Sequence, residues 1–373
     1  MDERTVRKTF KYKLRPTAEQ EGTMAFVVRR CRELYNAGLQ ERRDAWQQCG
    51  VSITAASQRA QLPDIKDLRP EYRDIHSQVL QDVLARLDKA YQAFFRRVQA
   101  GEQPGYPRFR GGDRYHSFTY KQFGNGATLD NGCLVLSKIG RIGLRWSRPL
   151  EGAPKTVTIS READGWYACF SCADVPVQPL SPTDRETGID VGLKVFLVTA
   201  DGQVVENPRH YRREEQRLKK AQRVVSRRKK GSNRRRKAVK VLARKHQKVR
   251  RQRQDFHHKI ALALIRAYDT IYLKELRVRN MVRNHHLAKS ISDAGWAAFR
   301  TTLEYKAACA GKQVIAIEPA YTSQDGSGCG ARIQKSLSVR THVCTSCGLV
   351  LDRDENAARN IQRLGQSRRG AVA

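Results

Sequence analysis

The residue with the clearest capacity for chemistry is an aspartate inside an apolar strand pattern. Asp190 stands in the segment Gly188-Ile-Asp-Val-Gly192, and a second apolar run, 195–199, follows it. An unpaired carboxylate in such a strand costs several kcal/mol of folding free energy unless a cation or a hydrogen-bond donor meets it. The pattern therefore indicates a metal-binding acid. Taken alone, it is equally typical of an aspartate at the solvent edge of a strand end.

Two further segments carry acids in settings that favour the metal-binding interpretation. The short apolar run 271–276 contains Glu275, and the segment 351–361 places Asp354 at the start of a helical pattern. Strand acid, strand acid and helix-start acid is the order in which nucleases resembling RNase H gather carboxylates around two divalent ions. Hard oxygen ligands select Mg²⁺ or Mn²⁺, and two such ions can activate water and stabilise the leaving oxygen of a phosphodiester. These acids therefore indicate phosphodiester hydrolysis.

Three cysteines near the end of the chain have the spacing of part of a zinc ribbon. Cys344 and Cys347 form a Cys-x-x-Cys-Gly knuckle, and Cys329 precedes them before a basic stretch. The other six cysteines lack motif spacing, and we predict small buried thiols without disulfides, in a reducing compartment.

The first half of this ribbon lacks its first cysteine, because position 326, three residues before Cys329, is Gly. Either a substitute ligand completes a zinc site, with Asp325 and His342 nearest in sequence, or the chain binds zinc weakly or not at all. We favour a retained ribbon fold with impaired or altered metal binding.

Charge narrows the class of protein. The 373 residues carry 71 Lys and Arg against 37 Asp and Glu, which leaves a formal net charge of +34. A charge of this size points to a polyanionic partner and argues against an ordinary small-molecule enzyme. Hydrophobic residues make up 40% of the chain, enough for packed cores, which also excludes a disordered polycation.

Much of the excess charge lies in residues 212–253. This segment of 42 residues holds 21 Lys or Arg and only two acids, and Gly231 interrupts it. The pattern predicts two long, mostly solvated helices. A solvated face is one interpretation, but charge at this density repels itself without counter-charge, which favours contact with nucleic-acid phosphates. The predicted contact residues are Arg227, Arg228, Lys229, Lys230, Arg234, Arg235, Arg236 and Lys237.

The remaining elements must position these residues. Residues 9–15 alternate apolar and basic side chains as a half-buried strand does, and helical patterns follow from 17 and again over 74–100. Between 114 and 176 the period returns to two, with Asp164-Gly165 as a hairpin turn. The two β-patterned parts predict one β-rich unit interrupted by helices. Two unrelated domains in tandem is the alternative.

No run of about 18 apolar residues occurs, and Met1-Asp2-Glu3-Arg4 lacks the apolar core of a secretory signal. We therefore expect a cytoplasmic, nucleoid-associated protein with no membrane contact.

Together these residues resemble the TnpB family, the OrfB-type proteins of bacterial insertion sequences that are related to type V CRISPR effectors. The resemblance rests on segments spread over nearly the whole chain: Tyr12-Lys-Leu-Arg-Pro16, Arg32-Glu-Leu-Tyr-Asn36, Gly105-Tyr-Pro-Arg-Phe109, Gly188-Ile-Asp-Val-Gly192, Asn280-Met-Val-Arg-Asn284 with Leu287-Ala-Lys-Ser-Ile291, Tyr321-Thr-Ser-Gln324, and Asp352-Arg-Asp-Glu-Asn-Ala-Ala358.

The resemblance implies a multidomain α+β and α/β fold. An N-terminal β-barrel with an inserted helical recognition lobe would precede an RNase H-like RuvC nuclease domain that carries inserted helices and a zinc ribbon. The implied boundaries are 1–15 and 105–182 for the barrel, 16–104 for the helical lobe, and 183–373 for the nuclease domain, with the basic helical pair at 205–266 and the ribbon at 322–350.

The resemblance also implies RNA-guided cleavage of double-stranded DNA next to a short flanking motif. The guide RNA would come from the end of the transposable element. Base pairing would then select the sequence, while the protein reads the flanking motif and the shape of the heteroduplex.

Residue by residue, Asp190 and Asp354 match the first and third carboxylates of the family's nuclease site. Lys274 stands where the second belongs, and Glu275 is one place late. A one-residue offset turns a side chain to the opposite face of a strand unless the strand bulges. We predict that Glu318, at the end of the apolar run 314–317, replaces the lost carboxylate. Glu275 through a local shift is the less favoured alternative, and an inactive site is a third.

These residues are compatible with three functions. The leading one is an RNA-guided DNA endonuclease that uses Mg²⁺ or Mn²⁺. A nuclease-impaired RNA-guided DNA-binding protein, repressor-like or a decayed copy, is favoured by the departures at Lys274 and Gly326. A guide-independent DNA-binding factor is the third, and dependence of DNA binding on a co-purifying RNA distinguishes it from the other two.

Overall fold

The computed structural model describes residues 5–112, 114–318, 320–334, 336 and 339–370. The first four residues of the predicted barrel segment and the last three of the predicted nuclease domain lie outside this range. The chain divides between Pro176 and Val177 into two compact units.

The N-terminal unit, Thr5–Pro176, combines strands with helices. Its strands are β1 (Thr5–Arg15), β2 (Ser117–Tyr120), β3 (Ala127–Asp130), β4 (Cys133–Leu136), β5 (Gly140–Arg145), β6 (Ala153–Glu162) and β7 (Gly165–Pro176). Its helices are α1 (Ala18–Cys49), α2 (Ala55–Ala60), α3 (Leu62–Leu68) and α4 (Ser77–Gln99), with a 3₁₀ turn at Pro70–Tyr72.

These strands form one antiparallel sheet in the order β2-β6-β7-β1-β5-β4-β3. The two ends of the sheet approach one another. Strand β2 lies at one end, and its Tyr120 hydroxyl donates to the Ser137 carbonyl, just after β4 near the other end, at 3.1 Å. The sheet is therefore nearly closed. Strand β1 pairs with both β5 and β7, so the first strand joins strands that come after the helices and lie more than 100 residues further along the chain.

The alternation predicted for β1 is confirmed. Phe10, Tyr12 and Leu14 are buried, while Lys11 and Lys13 point to the other face. Buried residues of α1 and α4 belong to the same hydrophobic core as β1. The helices of the inserted lobe that the resemblance implied at 16–104 therefore share their core with the sheet.

The second unit begins at Val177. Its strands are β8 (Glu186–Val191), β9 (Val195–Thr199), β10 (Val204–Glu206), β11 (Thr270–Lys274), β12 (Gln313–Ile317), β13 (Thr341–Val343) and β14 (Val350–Asp352). Its helices are α5 (His210–Ser226), α6 (Asn233–Ala267), α7 (Val278–Met281), α8 (His285–Ala294), α9 (Trp296–Cys309) and α10 (Arg353–Gly370).

A five-stranded mixed sheet lies at the centre of this unit, in the order β10-β9-β8-β11-β12. The pairs β10–β9 and β9–β8 are antiparallel, whereas β8–β11 and β11–β12 are parallel. Apolar residues of α6 and α9 bury one face, and α10 packs on the other. Strands β13 and β14 form a separate small hairpin between β12 and α10.

Within the described part of the chain, no helix is long and apolar enough to cross a membrane.

Candidate active site and nucleic-acid interface

Two of the predicted acids come together because α10 lies unusually close to β8. A Cβ atom added to Gly188 would lie 2.1 Å from the Ala358 carbonyl oxygen and 2.5 Å from the Gln362 amide nitrogen. Real Cβ atoms do not approach backbone this closely, so the helix can reach the strand only where the strand has glycine. The glycine two residues before Asp190 is therefore a requirement for the contact.

Contacts at the C-terminal end of α10 show the direction in which this helix crosses β8. Gln366 donates to Glu186 at 3.1 Å, and Arg369 forms an ion pair with the same carboxylate. Because Gln366 lies near the start of β8, the helix runs antiparallel to the strand. Asp354, one turn before Ala358, is thereby placed at the Asp190 end of β8.

The structure places Lys274 directly beside Asp190. Ile189 pairs with Leu273 across β8 and β11, so the next residue of each strand points to the α10 face. The Lys274 Nζ lies 2.8 Å from the Asp190 Oδ1, and the two side chains are only 10% and 11% exposed. A buried ammonium therefore occupies the position that the resemblance gave to the second carboxylate.

The electrostatics of Asp190 reflect this setting. Burial raises the pKa of the Asp190 carboxyl, the Lys274 ammonium opposes that rise, and the nearby Asp354 carboxylate adds to it. The ionised form of Asp190 is thus costly in this centre and depends on a cation for its stability.

Asp354 is held at the start of α10. The Asp352 carboxylate accepts from the Asp354 amide at 2.8 Å and so caps the helix. The Asp354 carboxylate is paired with Arg340 at 3.0 Å and with Arg353 at 3.1 Å. Neither arginine partner was predicted from the sequence; the adjacency of Arg353 to Asp354 was the available signal.

Glu275 lies on the other side of the sheet. It follows Lys274, and its carboxylate is 3.7 Å from the Arg300 guanidinium of α9, with 64% of the side chain exposed. The expectation that a one-residue offset turns the carboxylate away from Asp190 agrees with this position.

Glu318 is exposed and comes directly after β12. Lys274 pairs with Ile317, so continuing the parallel register would set Glu318 beside Glu275 rather than beside Lys274. Among the described residues, Asp190, Glu318 and Asp354 do not form a group whose oxygens all lie within 4.8 Å of one another. The role of Glu318 as the third carboxylate stays a prediction.

The three cysteines of the predicted ribbon do come together. The ligand atoms of Cys329, Cys344 and Cys347 all lie within 4.8 Å of one another, and the first two sulfurs are 3.4 Å apart. The Cys347 amide, together with the Cys329 thiol and the Ser346 amide, lowers the pKa of the Cys344 thiol to about 7. Thiolates are the zinc-binding form of cysteine, so the lowered pKa makes Cys344 a suitable ligand for the metal.

The two candidate substitute ligands differ in their surroundings. Asp325 is paired with Arg332 at 2.8 Å. His342 is fully buried in β13, on the same strand face as Cys344. A Cβ atom at Gly326 would lie 3.3 Å from the His342 Nε2 and 3.6 Å from the Cys344 Sγ. His342 therefore borders the place of the missing cysteine, although it is not one of the three side chains within 4.8 Å.

The basic segment forms the predicted pair of helices. Helix α5 ends at Ser226, and the Ser232 side chain caps α6 by accepting from the Arg235 amide at 3.2 Å. The acids of α5 are engaged within the protein: Glu214 pairs with Arg217 at 3.0 Å and Glu215 with Lys289 at 2.8 Å.

We call the eight predicted contact residues at this turn the basic tip. Seven are exposed: Arg227, Arg228, Lys229, Lys230, Arg234, Arg236 and Lys237. Arg235 differs, because it is half-buried and donates from Nη1 to the Val225 carbonyl at 2.6 Å. It joins the two helices, whereas the other seven present charge to solvent.

Comparison with known families covers most of the chain. A family model described as "Probable transposase" (OrfB_IS605) matches residues 170–285, and one described as "Cas12f1-like, TNB domain" matches 296–361. A third, described as "Helix-turn-helix domain", matches 1–50. In this structure the described part of that last segment is strand β1 followed by helix α1.

Two relatives match almost end to end. A protein of Streptomyces pristinaespiralis named "Putative RNA-guided DNA endonuclease" is 38% identical over 96% of this chain and 90% of its own length. "Putative RNA-guided DNA endonuclease InsQ" of Escherichia coli K12 is 30% identical over 96% of this chain and 92% of its own length.

The fold also resembles a solved structure. The protein in "Cryo-EM structure of the Cas12f1-sgRNA-target DNA complex" aligns with a TM-score of 0.58 at 12% identity, covering 96% of this chain and 99% of that one. The mixed α/β, multidomain architecture is therefore shared with that protein.

Proposed function

Because the chain belongs to the TnpB family of OrfB-type proteins, we propose that it is an RNA-guided DNA endonuclease encoded by a transposable element. The observation that carries the proposal is the match over 96% of the chain to two relatives named as such enzymes. The guide RNA would come from the element's end, and the target would be double-stranded DNA beside a short motif. Its proposed place of action is the cytoplasm, at the nucleoid.

The second unit supplies the features that such an activity needs. Its sheet order and the packing of α10 on β8 support an RNase H-like nuclease domain of the RuvC type. The basic tip presents seven exposed cations to a phosphate backbone. These features account for the positive charge better than a small-molecule function would.

We propose that Asp190 and Asp354 are the carboxylates that hold Mg²⁺ or Mn²⁺, with Glu318 as the third. Their oxygens are the hard ligands that these ions prefer. When bound, two divalent ions would activate water and stabilise the leaving oxygen. The chain's own contribution is placement: Gly188 lets α10 approach β8, and the Asp352 cap orients the first turn that carries Asp354.

The proposed function is tested by purifying the protein from cells that carry its native locus. We expect a discrete RNA to co-purify, and DNA matched to that RNA to be bound and then cut in the presence of Mg²⁺. Mismatched DNA and RNase-treated protein are the controls. Equal DNA binding with and without the RNA would contradict the proposal and favour a guide-independent DNA-binding factor.

A nuclease-impaired RNA-guided DNA-binding protein is the second candidate. The ion pair between Lys274 and Asp190 specifically favours it, since a cation already engages a proposed metal ligand. Guided DNA binding that persists while matched DNA stays intact at every concentration of Mg²⁺ or Mn²⁺ would select this candidate.

For the ribbon, we propose that Cys329, Cys344 and Cys347 hold a zinc ion with impaired affinity. Gly326→Cys supplies a fourth thiolate beside Cys344 and is expected to strengthen zinc binding by about tenfold or more. Zinc content measured after dialysis against a graded chelator checks this. Cys344→Ser should lose zinc first, and Cys169→Ser, in β7, is the matched control. Equal zinc retention by Gly326→Cys and the parent protein would contradict the proposal.

A further inference from the structure

At the centre formed by β8, β11 and α10, Asp190 and Asp354 both already have cationic partners. Two carboxylates, Asp190 and Asp354, face three cations: Lys274, Arg340 and Arg353. A site that gathers divalent cations needs an excess of negative charge, and here each carboxylate already has a positive partner. Metal binding must therefore displace at least one of these partners.

Lys274 is the partner that is hardest to displace. Its side chain and that of Asp190 are both about nine-tenths buried, so their attraction is weakly screened. Lys274 also belongs to a strand paired on both sides, which holds its ammonium near Asp190. A tethered group competes at an effective concentration in the millimolar range or above, comparable with the free ion.

Arg340 is a weaker competitor at its own site. Its side chain is 38% exposed, so its pair with Asp354 is open to solvent and salt. Arg353 is more buried, at 15%, but it lies at the first position of α10 and contacts the carboxylate that follows it in sequence. The buried pair of Lys274 with Asp190 is thus the main barrier to a divalent ion.

We propose that the Lys274 ammonium is a resident counter-cation that takes the place of a divalent ion at Asp190. Lys274 thereby sets the divalent-metal requirement of this centre and holds cleavage low while guided DNA binding is unaffected. This inference rests on the proposed function and concerns the regulation of its nuclease site. Lys274 acts as a positioning residue, since it touches a proposed metal ligand and not the reacting phosphodiester.

Two substitutions separate the removal of the competing charge from the gain of a ligand. Lys274→Gln removes the ammonium and keeps a polar side chain of similar reach. Lys274→Glu removes it and adds a carboxylate at the position whose side chain contacts Asp190. Lys289→Gln, which removes an ammonium paired with Glu215 in the same unit, is the matched control.

The test measures Mn²⁺ binding to the purified RNA-bound protein. Calorimetry gives the affinity, and the Mn²⁺-dependent rise in Tm gives a second measure of binding. We expect the parent and Lys289→Gln to bind Mn²⁺ weakly, Lys274→Gln more tightly, and Lys274→Glu about 100-fold more tightly than the parent. Cleavage of matched DNA at a fixed, low Mg²⁺ concentration should follow the same order, with equal DNA binding throughout.

Parent protein that binds Mn²⁺ as tightly as both Lys274 variants would overturn the inference, whether or not any of them cuts DNA. If the proposed function itself is wrong, no variant will show RNA-dependent DNA binding. If Lys274→Glu does not fold, Lys274→Gln alone decides the matter through its Mn²⁺ affinity relative to the parent.

Discussion

Neutralising the basic tip is expected to weaken RNA binding by about 10²–10³-fold at 100–200 mM salt, because the bound RNA's phosphates lose up to seven cationic partners. The variant replaces the seven exposed residues by Gln: Arg227, Arg228, Lys229, Lys230, Arg234, Arg236 and Lys237. Arg235 is left in place because its guanidinium joins α5 to α6.

The diagnostic quantity is the salt dependence. Each phosphate contact to a single strand contributes roughly 0.7 to the slope of log affinity against log salt, so seven contacts contribute about 5. Filter binding or fluorescence anisotropy with the co-purified RNA, between 50 and 300 mM salt, measures this slope. If the variant with the uncharged basic tip has the same slope of log affinity against log salt as the parent, the RNA does not contact the basic tip.

A matched control guards against a general effect of net charge. Arg73, Lys259 and Lys306 lie outside the basic segment, and the first two are exposed partners of surface ion pairs. Replacing these by Gln should change RNA affinity by less than about threefold, since isolated surface charges contribute little. Circular dichroism should report unchanged helix content in both variants, because none of the replaced side chains is buried in a core.

Substituting the proposed metal ligands is expected to abolish cleavage while guided DNA binding persists. Asp354→Asn should reduce the cleavage rate by about 10³-fold or more, as removal of a group acting in the transition state typically does. It is a cleaner test than Asp190→Asn. The latter leaves the Lys274 ammonium buried without its carboxylate, which costs about 3–5 kcal/mol of stability and confounds activity with folding.

The same assay decides which glutamate completes the site. Glu318→Gln should lose cleavage if Glu318, which lies beyond the paired part of β12, turns towards Asp190. Glu275→Gln should cut at close to the parent rate because the Glu275 carboxylate is held near Arg300 on the α9 side of the sheet. Cleavage by Glu318→Gln at the parent rate would show that Glu318 is not the third ligand. In a Lys274→Glu background the Glu318→Gln substitution should matter less, since the new carboxylate stands beside Asp190.

Several local features could be predicted from residue order alone because they depend on near neighbours in the sequence. Alternation in 9–15 predicted strand β1, and the break at Gly231 predicted two helices where α5 and α6 form. The knuckle spacing likewise predicted that Cys344 and Cys347 would meet Cys329. In each case the signal is a pattern that repeats over a few residues or a known spacing of metal ligands.

Other features depended on contacts between distant segments. Helix α5 has no side-chain cap of its own, and its first amides are met by Asp293 of α8, at 2.8 Å from the Tyr211 nitrogen. Tyr72, Val83 and the strands of the N-terminal sheet share one core, although they come from separate parts of the sequence. No local pattern encodes such contacts.

Residue order alone gave the chemical types at the centre formed by β8, β11 and α10: acids at 190 and 354, a lysine at 274, Glu275 next to that lysine and Glu318 after another apolar run. Which of these side chains meet depends on contacts between segments that are distant in sequence. Strand pairing sets Lys274 against Asp190, and the close approach of α10 at Gly188 brings Asp354 to the same end of β8. The reason is physical, since a buried carboxylate must be neutralised by whichever cation packing brings near it, and the identity of that cation depends on register across strands.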